Sequence, residues 1–131
     1  MENDHILKVE SLKKYFPLRT GLISRLAGKE ASYFRAVDDI SFHVGAGEIL
    51  GFVGESGCGK STMSRTILKL VEPSGGKVYF NDTRVDALGK AAFKPYRRKM
   101  QMIFQDPFGS LNPRRTVSET LRHTIRIHRL A

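Results

Sequence analysis

Cysteine is almost missing from this chain: of 131 residues, only Cys58 is one. A lone cysteine excludes an internal disulfide and a cysteine-based metal site. Long apolar runs are missing as well, and no stretch approaches the ~20 residues of a membrane-spanning helix. The opening Met1-Glu2-Asn3-Asp4-His5 is polar and acidic, with no signal-peptide pattern behind it. Acidic residues are scarce beside basic ones, 13 against 22, which leaves a net charge of +9. Such a surplus suits nucleic acid or an anionic lipid surface. No zinc-finger spacing or aromatic RNA-binding motif accompanies it, however, and the basic residues are scattered from Lys13 to Arg129. It suits better a solvated surface around a site for a polyanionic nucleotide, and nucleic acid is not expected as a partner. Internal repeats and low-complexity tracts are absent too, and together these features predict a cytosolic location. What is present, a 40% hydrophobic fraction, is enough for the core of one small domain.

The informative stretch is Gly51-Phe52-Val53-Gly54-Glu55-Ser56-Gly57-Cys58-Gly59-Lys60-Ser61-Thr62. It holds Gly54-x4-Gly59-Lys60-Ser61, the pattern of a phosphate-binding loop. Ahead of it, Ile49-Leu50-Gly51-Phe52-Val53 reads as a strand buried on both faces of a parallel sheet. Behind it, Thr62 to Leu70 reads as a helix, with Met63, Ile67 and Leu70 at helical spacing. A triphosphate is a dense cluster of negative oxygens. Gly54, Gly57 and Gly59 let the backbone wrap closely with its N–H groups inward, and the helix start adds unpaired N–H groups and a positive dipole end. Lys60 is expected to reach the β- and γ-phosphates and the Ser61 hydroxyl to ligate Mg²⁺, with Thr62 beside it. The bland alternative, a glycine-rich turn with an incidental lysine, does not account for the strand–loop–helix context.

In chain order, Ile6 to Phe16 reads as a first strand, with Leu7 and Val9 on one face and Leu12 on the other. Leu18 to Glu30 reads as a long hairpin connection, and Tyr33 to Val37 as the returning strand. Asp39 to Val44 alternates, with Ile40, Phe42 and Val44 on the buried side. Glu72-Pro73-Ser74-Gly75-Gly76 stops the helix. Lys77 to Phe80 is a short strand and Asn81-Asp82-Thr83 a turn. Lys90 to Arg98 is helical but broken at Pro95, and Met100 to Phe104 is a further buried strand. Phe108 to Arg115 reads as a loop. Thr116 and Glu119 form a capping box for a last helix running to Ala131.

Three features together resemble the N-terminal part of an ATP-binding cassette (ABC) transporter ATPase: the loop Gly54 to Thr62, the turn Gly45-Ala46-Gly47-Glu48 before it, and Phe104-Gln105-Asp106-Pro107, which is similar to the family's Q-loop. The resemblance covers nearly the whole chain. Leu12-Lys13-Lys14-Tyr15-Phe16-Pro17, the hairpin insert, and Gln105 to Arg114 look like the oligopeptide/dipeptide importer subclass, in which some nickel and glutathione importers are alike. The resemblance implies an α/β fold, a truncated P-loop NTPase core with an N-terminal antiparallel β-subdomain and the start of a helical subdomain. Its implied boundaries are 1–48, 49–107 and 108–131. It implies ATP and Mg²⁺ held by Gly54, Glu55, Ser56, Gly57, Cys58, Gly59, Lys60, Ser61 and Thr62. It further implies adenine stacking by Phe16, with Tyr15 beside it, and contact of Gln105 with Mg²⁺ or the attacking water. Partners implied are permease subunits, met through Phe108 to Arg115, and a second ATP-binding subunit, at the cytoplasmic face of the membrane.

The family's Leu-Ser-Gly-Gly-Gln signature, its Walker B strand and its switch histidine do not occur in the sequence. Hydrolysis needs an oriented water and a metal held from both Walker motifs, so nucleotide binding with little or no turnover is the expectation for this chain alone. A small P-loop kinase and a basic nucleic-acid-binding module are the two other classes compatible with the residues. The long antiparallel stretch before the loop argues against the first. For the second, salt-sensitive nucleic-acid retention that ATP does not displace would be the mark.

Overall fold

The computed structural model describes residues 5–18, 32–106, 109 and 111–128. The expected hairpin insert beyond Leu18, Pro107, Phe108 and Ser110 of the expected Q-loop segment, and the end of the last helix lie outside the described residues. The chain divides into two compact units, Met1–Phe93 and Lys94–Ala131.

In the first unit, β1 (His5–Pro17) and β2 (Tyr33–Gly45) form a long antiparallel pair. β3 (Gly75–Phe80) joins the other side of β1, and β4 (Thr83–Arg84) closes the order β2-β1-β3-β4. Every pairing is antiparallel. Helix α1 (Lys60–Ile67) buries Met63, Thr66 and Ile67, an i, i+3, i+4 stripe. That stripe completes a core with Val9, Leu12, Val37, Val78, Val85 and Phe93. A short α2 (Lys90–Phe93) supplies the last of these. On β2, Ile40, Phe42 and Val44 are half-buried while Ser41 and His43 are exposed, the alternation the sequence predicts.

On β1 the expected faces differ from the observed ones. Val9 and Leu12 are both buried, although a regular strand would put them on opposite sides. The register shifts between them. Ser11 adopts φ +48°, and its N–H donates to the Ser41 hydroxyl at 2.8 Å. This bulge restores Leu12 to the core face.

Helix α1 starts earlier and stops sooner than predicted. Lys69 takes φ +56°, Leu70 N–H bonds the Arg65 carbonyl at 2.9 Å, and Lys69 N–H bonds that of Thr66 at 3.1 Å. These are the two bonds of a Schellman motif, closed on lysine where glycine is usual. The Glu72–Gly76 turn follows this stop rather than making it.

The predicted strands Ile49–Val53 and Met100–Phe104 are not strands here. Ile49 is 96% exposed and Ile103 92%. A strand of a parallel sheet exists only through its ladder neighbours, and no parallel pairing occurs among the described residues. Phe52 alone of the first run finds a ring partner, edge-on to Phe42 at 4.9 Å.

The second unit holds α3 (Tyr96–Lys99) and α4 (Val117–His128). Pro95 is the N-cap of α3, so the predicted break falls where proline sets it. The predicted capping box is present: Thr116 N–H donates to the Glu119 carboxylate at 2.8 Å, and Glu119 N–H donates to the Thr116 hydroxyl at 3.2 Å. These N–H and hydroxyl donors of Thr116 hold the Glu119 carboxyl below its ordinary titration range.

Candidate phosphate-binding loop

The loop from Gly54 to Gly59 leads directly into α1. Gly57 sits at φ +86° and Gly59, the N-cap, at φ +99°. The second value is enforced by packing as well as by backbone shape. A Cβ on Gly59 would overlap the Ala36 carbonyl oxygen of β2, so only glycine lets the loop lie against the sheet.

The helix start is bare. Gly59 offers no capping side chain, and no acidic residue occupies the first turn. The first helical bond runs from Met63 N–H to the Gly59 carbonyl at 2.8 Å. The N–H groups of Lys60, Ser61 and Thr62 precede it at the positive end of the helix. This arrangement can bind an oxyanion: N–H groups without helical partners, no acidic residue in the first turn, and an ammonium alongside.

The Lys60 ammonium donates to the Gly54 carbonyl at 2.5 Å, the Glu55 carbonyl at 2.8 Å and the Cys58 sulfur at 3.2 Å. It therefore crosses the mouth of the loop and braces both of its arms. The Cys58 N–H also bonds the Glu55 carbonyl, at 3.4 Å. Glu55, Ser56, Cys58 and Ser61 are exposed. The bond from Lys60 holds the Cys58 thiol below its ordinary value. Thr62 is half-buried, and its carbonyl accepts the Thr66 hydroxyl at 2.7 Å. Among the described residues no group of three or more His, Cys, Asp or Glu could hold a metal ion. A divalent cation at this loop would thus draw on phosphate oxygens and the exposed Ser61 hydroxyl.

The aromatic candidates lie on β1, the strand paired with the β2 that meets the loop. Ala36, which meets Gly59, lies between the partners of Lys14 and Tyr15 on β2, about 4.8 Å across the ladder from β1. Tyr15 is tied down: its hydroxyl donates to Asp38, and the Arg35 guanidinium lies 5.6 Å from its ring centroid. The Tyr15 hydroxyl and then Arg35 hold the Asp38 carboxyl below its usual range, while Asp38 pushes the Tyr15 hydroxyl up. Phe16, opposite Phe34, is 37% exposed. Gln105 belongs to the second unit, where it is exposed in a bend. Next to it, the Asp106 carboxylate accepts Gly109 N–H at 2.9 Å. Ala36, which meets Gly59, and Arg35 and Asp38, which hold Tyr15, carry no motif, and only the folded register brings them to these contacts.

A protein-family model described as ABC transporter matches residues 37–131. The chain belongs to the ABC transporter family. It is 45% identical over 130 residues to the glutathione import ATP-binding protein GsiA of Salmonella paratyphi A, covering 99% of this chain and 20% of that protein. It is 44% identical over 123 residues to a probable peptide ABC transporter ATP-binding protein, y4tS, of Sinorhizobium fredii, covering 94% of this chain and 34% of that one. A solved ATP-binding subunit of an ABC transporter superposes with a TM-score of 0.67 at 27% identity, over 96% of this chain and 44% of that one. The chain thus spans a fifth to a third of the length of these curated relatives. The fold is that of the first part of an ABC cassette. The small-kinase and nucleic-acid alternatives are not favoured by these matches.

Proposed function

We propose that this ABC-family chain is the Mg-ATP-binding part of an importer ATPase acting on peptides or glutathione-like peptides. The observation that carries the reading is the bare start of α1, pressed by Gly59 against Ala36 with Lys60 across the loop mouth. Backbone N–H groups from Gly54 to Thr62 cradle the phosphates. Lys60 exchanges its carbonyl partners for the β- and γ-phosphates, where charge-assisted bonds are stronger. Ser61 would hold the metal, Phe16 would stack on adenine, and Tyr15 beside it would support the strand. Gln105, of the Q-loop, would contact Mg²⁺ or the attacking water. Bound Mg²⁺ would neutralise developing phosphate charge.

In this reading residues 1–48 open the antiparallel subdomain, whose sheet also takes in β3 and β4 from the 49–107 P-loop core segment, and 108–131 are the start of the helical subdomain. Phe108 to Arg115 faces permease subunits, and a second ATP-binding subunit completes the site. The assembly sits at the cytoplasmic face of a membrane. Among the described residues no helix is long and apolar enough to cross one. The relatives' names support peptide or glutathione cargo.

Titration calorimetry with ATP and Mg²⁺ tests the reading. Saturable binding is expected for the chain and loss of at least tenfold in affinity for Lys60→Ala. Equal affinity in the two proteins would overturn it.

A further inference from the structure

We propose that Lys14 is a positioning residue for the nucleobase: its ammonium backs one face of the Phe16 ring and leaves the other face to stack a purine. The proposal rests on the reading of Phe16 as the base-stacking group. The Lys14 ammonium lies 4.8 Å from the Phe16 ring centroid, within cation–π range. It is held there by a second bond, to the Glu72 carbonyl at 2.8 Å.

Glu72 belongs to the chain leaving α1, and that segment is stitched to β1. Ser74 N–H donates to the Lys13 carbonyl at 2.8 Å, and Tyr15 N–H donates to the Ser74 hydroxyl at 2.9 Å. At its other end α1 meets β2 through Gly59 and Ala36. Both ends of the phosphate-binding helix are therefore fixed to the hairpin that carries Phe16. The neighbouring ring is engaged elsewhere, since Tyr15 is held by Asp38 and Arg35.

A cation on one face draws π density from the ring, and the opposite face then stacks better on an electron-rich base. Recognition by π surface ranks purine above pyrimidine triphosphates. It predicts no effect of Lys14 on a ligand that has phosphates and no base.

The test measures binding of ATP, CTP and tripolyphosphate, each with Mg²⁺, to the full chain and to Lys14→Met, Lys14→Arg and Phe16→Ala. Lys14→Met is expected to weaken ATP about two- to fivefold, to narrow the ATP/CTP ratio and to leave tripolyphosphate unchanged. Lys14→Arg is expected to restore ATP binding. Equal weakening of ATP and tripolyphosphate by Lys14→Met would show a plain charge effect and overturn the proposal. So would unchanged ATP binding in Lys14→Met beside weakened binding in Phe16→Ala; the stacking role of Phe16 would then stand alone. If ATP binds no more tightly than tripolyphosphate and Phe16→Ala changes nothing, the base platform and the role of Lys14 fail together.

Discussion

The Lys60 ammonium donates a hydrogen bond to the Cys58 sulfur at 3.2 Å, and that bond lowers the pKa of an exposed thiol. A lowered pKa means more thiolate at any pH below the ordinary thiol value, and the thiolate is the reactive form. Iodoacetamide is expected to label Cys58 faster at pH 7 than it labels an ordinary exposed thiol. In Lys60→Ala the labelling profile moves to higher pH. The adduct fills the loop mouth, so fully labelled protein loses ATP binding while Cys58→Ser keeps it. Matching pH–rate profiles in the two proteins, or unchanged binding after complete labelling, would refute this.

Gly59 and Gly47 separate backbone conformation from packing. Both have positive φ, +99° and +74°, but a Cβ on Gly47 meets nothing within 4 Å, whereas one on Gly59 overlaps the Ala36 carbonyl. Gly47→Ala is expected to cost about 1 kcal/mol, the penalty of a left-handed L-residue. Gly59→Ala adds a backbone clash and is expected to cost about 3 kcal/mol or more, with ATP binding lost. Urea denaturation of both variants measures this, and equal destabilisation would mean that the contact with β2 is immaterial.

The difference between what local sequence encodes and what it does not is visible in these elements. The Thr116–Glu119 box, the break at Pro95 and the alternation of Ile40, Phe42 and Val44 were legible because each depends on residues a few positions apart. The turn into α1 at Gly57 and Gly59 was legible because glycines at that spacing before a helical pattern mark a loop that needs positive φ. Ile49–Val53 misleads because its apolar run describes a strand that neighbours must complete. The bulge at Ser11 depends on Ser41 of the facing strand, and the helix stop at Lys69 uses a residue that carries no stop signal. The juxtaposition of Ala36 with Gly59, and of Lys14 with Phe16, arises from strand register, which no motif states.

Asp86 should report on the β3–β4 side of the sheet. Its side chain is 8% exposed, accepts Val78 N–H at 2.8 Å and pairs with Arg84 at 2.9 Å. Burial pushes its carboxyl up, but the Arg84 guanidinium and the Val78 N–H outweigh that and leave the pKa lowered. The folded pKa then lies below the unfolded one. The stabilisation is present above the unfolded carboxylate pKa and is lost as pH falls through the folded one. Asp86→Ala is expected to cost about 1–3 kcal/mol at pH 7, leaving a buried N–H without its acceptor. The gap to the parent chain should close in acid. A gap that persists unchanged at low pH would show that the carboxylate charge contributes nothing.

Binding and turnover are expected to separate in this chain. Phosphoryl transfer to water needs the nucleotide held, the water oriented and the metal fixed from more than one side. In the proposed function the loop Gly54–Thr62 provides the holding, with a bare helix start and the Lys60 ammonium. The sequence contains no Walker B strand, signature or switch histidine to provide the rest. The chain of 131 residues is therefore expected to bind Mg-ATP while releasing phosphate at no more than the background rate. Phosphate release is measured at saturating ATP, with Lys60→Ala as the control for a contaminating ATPase. Release well above background that Lys60→Ala abolishes would mean that residues among these 131 orient the water. The exposed carboxylates nearest the loop, beginning with Glu55, would then be the first to replace.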